Sequence, residues 1–180
     1  MAGILFLCLA LLSVPQPFSL LLAITLHESA HILAARIFGF GSSSLALTAG
    51  GMRLSFYKEK GLFPSLAVLF AGCFVGAVFS LLPFLPLYFR LYSAGLSIVN
   101  LLPVSCLDGG GILLLILECL MLPDRAYRIS RGISIAFVLA IWAISCTVQL
   151  KAGANLSLLA VSLYLTITAL GEKIHTKKER

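Results

Sequence analysis

Apolar residues run along this chain in long blocks, set apart by prolines, glycines and basic residues rather than by regular alternation. Six segments are predicted on that basis: 2–14, closed by Pro15 and Pro17; 18–38, ending near Arg36 and Gly39; 62–82, stopped by Pro83 and Pro86; the long run 87–122; 129–150; and 153–171, followed by the tail EKIHTKKER. A helix needs about 20 apolar residues to cross a hydrocarbon core of roughly 30 Å. The run 87–122 is far too long for one straight span at about 1.5 Å per residue. Pro103 and the glycines at 109–111 therefore predict a break, with helical pieces at 87–101 and 108–121 around an unwound stretch. Irregular backbone at membrane depth is tolerated only where protein or a water-filled cavity satisfies it. Residues 102–107 are thus expected at a site rather than against lipid.

Residues 39–61 are too polar and glycine-rich to span. Within them Leu45, Leu47 and Ala49, then Met52, Leu54 and Phe56, alternate about Gly50-Gly51. That pattern predicts a short β-hairpin with the glycines at its turn, whose free edge would suit an extended peptide; an ordinary loop is the alternative. The expected fold class is an all-α polytopic membrane protein of about six transmembrane helices, with a broken helix at the aspartate motif and a short membrane-associated β-hairpin. One domain is expected over 1–180: a core at about 18–122, accessory helices in 1–17 and 129–171, and a basic cytoplasmic tail at 172–180.

Composition agrees. The chain is 60% hydrophobic and 11% charged, which leaves too little polar surface for a soluble domain of this length. The net charge of +6 does not point to nucleic acid, because most of the basic residues fall between apolar runs or in the tail, where they read as cytoplasmic anchors. Counting spans from the tail and from Arg125, Arg128 and Arg131 puts both termini in the cytoplasm of what reads as a bacterial cell membrane, with the Lys151–Gly153 and 83–86 turns outside. The first run reads as a spanning or interfacial helix rather than a cleaved signal, since no basic residue precedes it. Cysteines 8, 73, 106, 119 and 146 form no C-x-x-C pair, so neither a zinc knuckle nor a redox pair is suggested.

The chemistry lies in residues 27–31, H-E-S-A-H. On a helix His27 and His31, four apart, point the same way and can share one metal ion. Glu28, offset by one residue, can reach a water on that metal without being a ligand. This is the spacing a zinc hydrolase uses, with two imidazoles on Zn²⁺ and a carboxylate as general base. Ionisable groups within a span are costly and are expected to be paired or functional; a histidine–glutamate cluster that joins helices is the bland alternative. A third ligand is needed, and the carboxylates within apolar sequence are Asp108 and Glu118. Asp108 is favoured: it opens a helix after the unwound stretch, where the helix dipole suits an anion. Glu118, ten residues on, reads as structural. Asn100 ends the preceding piece and either donates to substrate or a developing oxyanion or caps the helix. His175 reads as a solvated tail residue.

His27-Glu28-x-x-His31, the Gly50-Gly51 element and N-L-L-P-V-S-C-L-D-G-G at 100–110 together resemble the site-2 protease family of intramembrane zinc metalloproteases. The resemblance covers about residues 18–122. It implies that His27, His31 and Asp108 bind one Zn²⁺, that Glu28 is the general base, that Asn100 contacts substrate, and that Gly50 and Gly51 belong to a strand element holding an extended substrate. In plan the chain looks most like the branch containing the sporulation protease that processes a pro-sigma factor. Where family members often carry Gly-Pro-x-x-Asn after the hairpin, this chain reads G-C-F-V-G, with Cys73 and Gly76 in place of the proline and the asparagine. The function expected is metal-assisted hydrolysis of peptide bonds in or near transmembrane segments. The expected partners are a membrane-protein substrate, the lipid bilayer and a regulatory membrane partner, with no nucleic acid; the oligomeric state is not set by the sequence. The rivals are a catalytically inactive relative acting as a membrane scaffold, supported by the Cys73 and Gly76 departures, and a transporter, which the absence of an inverted repeat disfavours.

Overall fold

The computed structural model describes residues 15–40, 47–48, 51–52, 61–152 and Thr166. Five helices lie among them: α1 (Pro17–Ile37), α2 (Leu62–Leu81), α3 (Leu87–Asn100), α4 (Asp108–Leu120) and α5 (Pro123–Ala152). Three are long and apolar enough to cross a membrane: α1, α2 and the Pro123–Val148 part of α5. The protein is an integral membrane protein. At 14 and 13 residues, α3 and α4 are each short of a full span.

Helix ends follow local chemistry. Pro17 and Pro123 are the first residues of their helices, where a missing N–H costs nothing. α1 closes with Gly39 at φ 71°, the left-handed conformation that glycine adopts without a Cβ clash. Gly39 N–H donates to Arg36 O at 3.1 Å and Phe40 N–H to Ala35 O at 2.9 Å, the paired bonds of a Schellman ending. Phe40 then packs with Ala35 and Val68, which ties the end of α1 to α2. At the far end of α2, Arg90 Nε donates to Ser80 O at 3.0 Å, a cation at a helix C-terminus.

α2 is the central helix, packed against α1, α3 and α4. Its buried residues are Ser65, Val68, Leu69, Gly72, Cys73 and Gly76, a stripe at helical spacing made largely of small side chains. Lipid is as apolar as leucine, so close approach of backbones, rather than hydrophobicity, drives helix pairing here. At Gly76 a Cβ would collide with Ser97 Oγ and lie 3.1 Å from Ser93 O, so the glycine at this position seats α3 on α2.

The break falls where Pro103 and the glycines predict it, between Asn100 and Asp108. Its backbone is satisfied from within the protein. Leu101 N–H reaches Ser97 O, Leu102 N–H reaches Val99 O, Val104 N–H reaches Leu102 O and Leu107 N–H reaches Val104 O, at 2.7–3.2 Å. Ser105 N–H is taken by Ser134 Oγ of α5 at 3.0 Å. Val104 and Cys106 are buried against Val138, with Trp142 alongside. α5 therefore serves as the wall that lets an irregular segment exist at membrane depth.

Several expectations need correction. The sequence predicts about six spans; among the described residues there are five helices, three of them of spanning length. The runs 2–14 and 153–171 lie outside the described residues, apart from Thr166. The expected β-hairpin of residues 45–56 is replaced by a ladder of two pairs, Leu47 with Met52 and Thr48 with Gly51. Gly51 thus sits in the ladder rather than the turn, and Gly50 lies outside the described residues. A two-stranded pairing is marginal by itself, and these two pairs are all of the alternating run that the described residues contain. α5 starts at Pro123 rather than 129: Leu122 O accepts Arg125 N–H at 2.9 Å and Ala126 N–H at 3.0 Å. Arg125 and Arg128, expected ahead of this helix, consequently ride with Arg131 on its first turns, and the helix runs on through Lys151 to Ala152.

Candidate metal centre

His27 and His31 lie on the buried stripe of α1 with Ala23, Ala30 and Ala35. The alanines bring α2 close enough for its backbone to take part. His31 Nδ1–H donates to Val68 O at 2.7 Å, a bond that fixes the ring and leaves Nε2 as a lone pair. Gly72, one turn further along α2, makes the approach possible. A Cβ there would collide with His31 Nε2 and lie 2.7–2.8 Å from Cε1 and Nε2 of His27. The imidazoles are 5% and 2% exposed and meet edge to face, with centroids 4.8 Å apart.

Asp108 reaches the same point from the first residue of α4, 81 positions away in sequence from His27. The glycines after it are required by close approach. At Gly109 and Gly110 a Cβ would strike the carbonyls of Leu101 and Val104, so only glycine lets the first turn of α4 press against the break. Asp108 Oδ2 then sits 3.2 Å from His27 Nε2 and 3.2 Å from His31 Nε2. The two Nε2 atoms are themselves 3.2 Å apart.

This triangle fits a metal better than it fits hydrogen bonding. Once His31 has committed its proton to Val68, His31 Nε2 and the Asp108 carboxylate are both acceptors facing each other. A neutral His27 can place a proton on one side of the triangle at most. A divalent cation satisfies all three at once. Tetrahedral zinc, with Zn–N and Zn–O bonds of about 2.0–2.1 Å, needs donor–donor edges of about 3.3 Å, and each observed edge is 3.2 Å. His27, His31 and Asp108 form the one such group among the described residues.

The other sequence candidates are placed differently. Glu28 is exposed on α1, next to the ligand face rather than on it. Thr25 and Ser29 share that exposed face, their hydroxyls bonded back to Leu21 O and Thr25 O. Asn100 donates its side-chain amide to Leu96 O at 3.0 Å, so at the end of α3 it acts as a cap. Glu118 is exposed on α4 and stands apart from the ligand group. Gly50 and His175 lie outside the described residues. Gly72 and Cys73 are the site residues that sequence reasoning misses as such. Cys73 Sγ lies 3.7 Å from Asp108 Oδ2; the sequence marks Cys73 only as a departure from the Gly-Pro-x-x-Asn pattern, with nothing that points to the aspartate.

A membrane-embedded helical protein with two histidines and an aspartate converging on one point is the class that fold and site define. Residues 82–141 match the model of Peptidase family M50, so the stretch from the end of α2 through α3, the break and α4 into α5 is similar to a zinc metalloprotease family. No curated protein matches the chain. The matched stretch contains Asp108 but not α1, so the H-E-x-x-H motif and the family match are independent of one another, and the structure joins them.

Proposed function

We propose that the protein is an intramembrane zinc metalloprotease of the site-2 type, hydrolysing peptide bonds in or near transmembrane segments of membrane proteins. The observation that carries this reading is the triangle of His27, His31 and Asp108, with 3.2 Å edges, in a chain whose aspartate half matches a peptidase family. These three residues would hold the metal, leaving a fourth position for water. Zinc, when bound, supplies a Lewis acid that polarises a carbonyl and makes water nucleophilic near neutral pH.

The chain's own residues supply the rest. Glu28 accepts the proton of the attacking water and returns it to the departing amine. Its exposed position beside Thr25 and Ser29 gives water and substrate a polar approach along an otherwise apolar helix. Asn100, one break away from Asp108, offers a side-chain amide to substrate backbone if it exchanges its bond to Leu96 O. Arg36 at the end of α1 and Arg125, Arg128 and Arg131 at the start of α5 favour a cytoplasmic location for those two helix ends. The reading stays at the level of the family: likeness to the sporulation-protease branch rests on six spans.

The test is cleavage of a panel of single-span reporter proteins in proteoliposomes. Wild type should cleave, while Glu28→Gln keeps its metal and loses about 10²–10⁴ in rate, the usual worth of a general base. Cleavage by metal-loaded Glu28→Gln at the wild-type rate would contradict the assignment. A wild type that holds zinc and cleaves nothing would favour the inactive relative.

A further inference from the structure

Cys73 follows Gly72 on the inner face of α2, is 3% exposed, and brings Sγ to 3.7 Å from Asp108 Oδ2. An ionised carboxylate has no proton to give, so the thiol is the donor. The oxygen it meets is the same Oδ2 that faces both histidines. Among the described residues, Cys73 is the one side chain other than the histidines bonded to Asp108. When the imidazole lone pairs are turned to a metal, it is therefore the group left to hold the carboxylate.

We propose that Cys73 is a positioning residue of the metal centre: its thiol fixes Asp108 in the orientation that completes the ligand triangle, and so sets the affinity for metal. The inference rests on the zinc reading above. The backbone at this helix start is tied down through Leu107, whose N–H donates to Val104 O and whose carbonyl accepts from Gly110 and Gly111 N–H. Those bonds do not fix the rotation of the Asp108 carboxylate, which the thiol meets directly. Groups that hydrogen-bond to metal ligands typically contribute 10–100-fold to metal affinity, and a thiol, as a weak donor, belongs at the lower end. Cys73 is not itself part of the group of atoms that could surround the ion, which is why its thiol is assigned to holding the carboxylate rather than to binding the metal.

The experiment is cobalt binding to the detergent-purified full chain, measured by chelator competition and by the cobalt d–d bands, with thermal unfolding as the check on folding. Cys73→Ala and Cys73→Ser leave nearly the same space and differ in the donor. About a tenfold loss of cobalt affinity in Cys73→Ala, recovered in Cys73→Ser, supports the proposal. Cys73→Val, which fills the space without a donor, repeats the comparison should the alanine variant not fold, and should behave as the alanine variant is expected to. Equal affinity in wild type and the donor-less variants overturns the positioning role while leaving the zinc reading intact. An intense thiolate-to-cobalt charge-transfer band in wild type, lost in Cys73→Ser, overturns it differently, by making Cys73 a ligand. A folded wild type that binds no cobalt or zinc brings down the zinc reading and this inference with it.

Discussion

The two halves of the metal centre are built in opposite ways. The histidine half is one regular helix: four-residue spacing puts His27 and His31 on a common face, within an unbroken helical ladder from Pro17 to Ile37. The aspartate half is an interruption. Asp108 owes its position to a segment whose N–H groups must each be answered separately, to glycines that let carbonyls pack against a helix turn, and to a serine on α5. A regular helix sets the spacing of two ligands by itself and draws on its neighbour only to orient them, through Val68 O and the room left at Gly72. An irregular segment at membrane depth delivers the third only because several distant residues make it tolerable. Replacing a ligand side chain should therefore touch metal binding alone, whereas substitutions in the backbone-packing residues that support Asp108 should touch metal and fold together.

Gly110→Ala should break that contrast most severely. The added Cβ meets the Val104 carbonyl and lies 2.8 Å from Ser105 Cα, both backbone, so the break or α4 must move; overpacking of this kind costs about 1–3 kcal/mol or more. Thermal unfolding in detergent and zinc content should fall together, and a variant with normal stability and full zinc would refute the account of the break. Ser134→Ala comes next. It leaves Ser105 N–H, which now donates to Ser134 Oγ at 3.0 Å, without that partner, a loss of about 1 kcal/mol for a half-buried donor. It lies on another helix from every ligand, so reduced stability with weakened metal binding would show that α5 supports the aspartate half. The smallest effect is expected at Gly132 on α5, where an added Cβ would meet nothing within 4 Å. Gly132→Ala should be neutral or stabilise by up to about 1 kcal/mol; a loss would mean that this face of α5 is covered.

The same contrast explains what can be read in advance. Spacing alone exposes His27, Glu28 and His31, because helical geometry converts a four-residue interval directly into a shared face. Pro103 and the glycines at 109–111 locate the break to within a residue at either end, since both residue types act locally. What cannot be read is what answers the break. Ser134 is 29 residues from Ser105, and nothing in its neighbourhood marks it as an acceptor. Gly72 and Cys73 stay hidden because periodicity within an apolar run reports which face is buried, not what that face touches. Two errors come from trusting pattern over context. Alternation in 45–56 suggests a longer hairpin than the two pairs found among the described residues. The apolar run places the start of this helix at 129, although Pro123 already offers a first-turn residue from which a helix can carry Arg125 and Arg128.

The most direct test of the central claim is zinc content by elemental analysis of detergent-purified wild type and Asp108→Ala, prepared without chelator and reloaded with zinc before excess is removed. One zinc per chain is predicted for wild type, and none for Asp108→Ala, in which thermal unfolding shows the fold retained. A folded wild type that takes up no zinc, or a folded Asp108→Ala protein that keeps it, would contradict the three-ligand site.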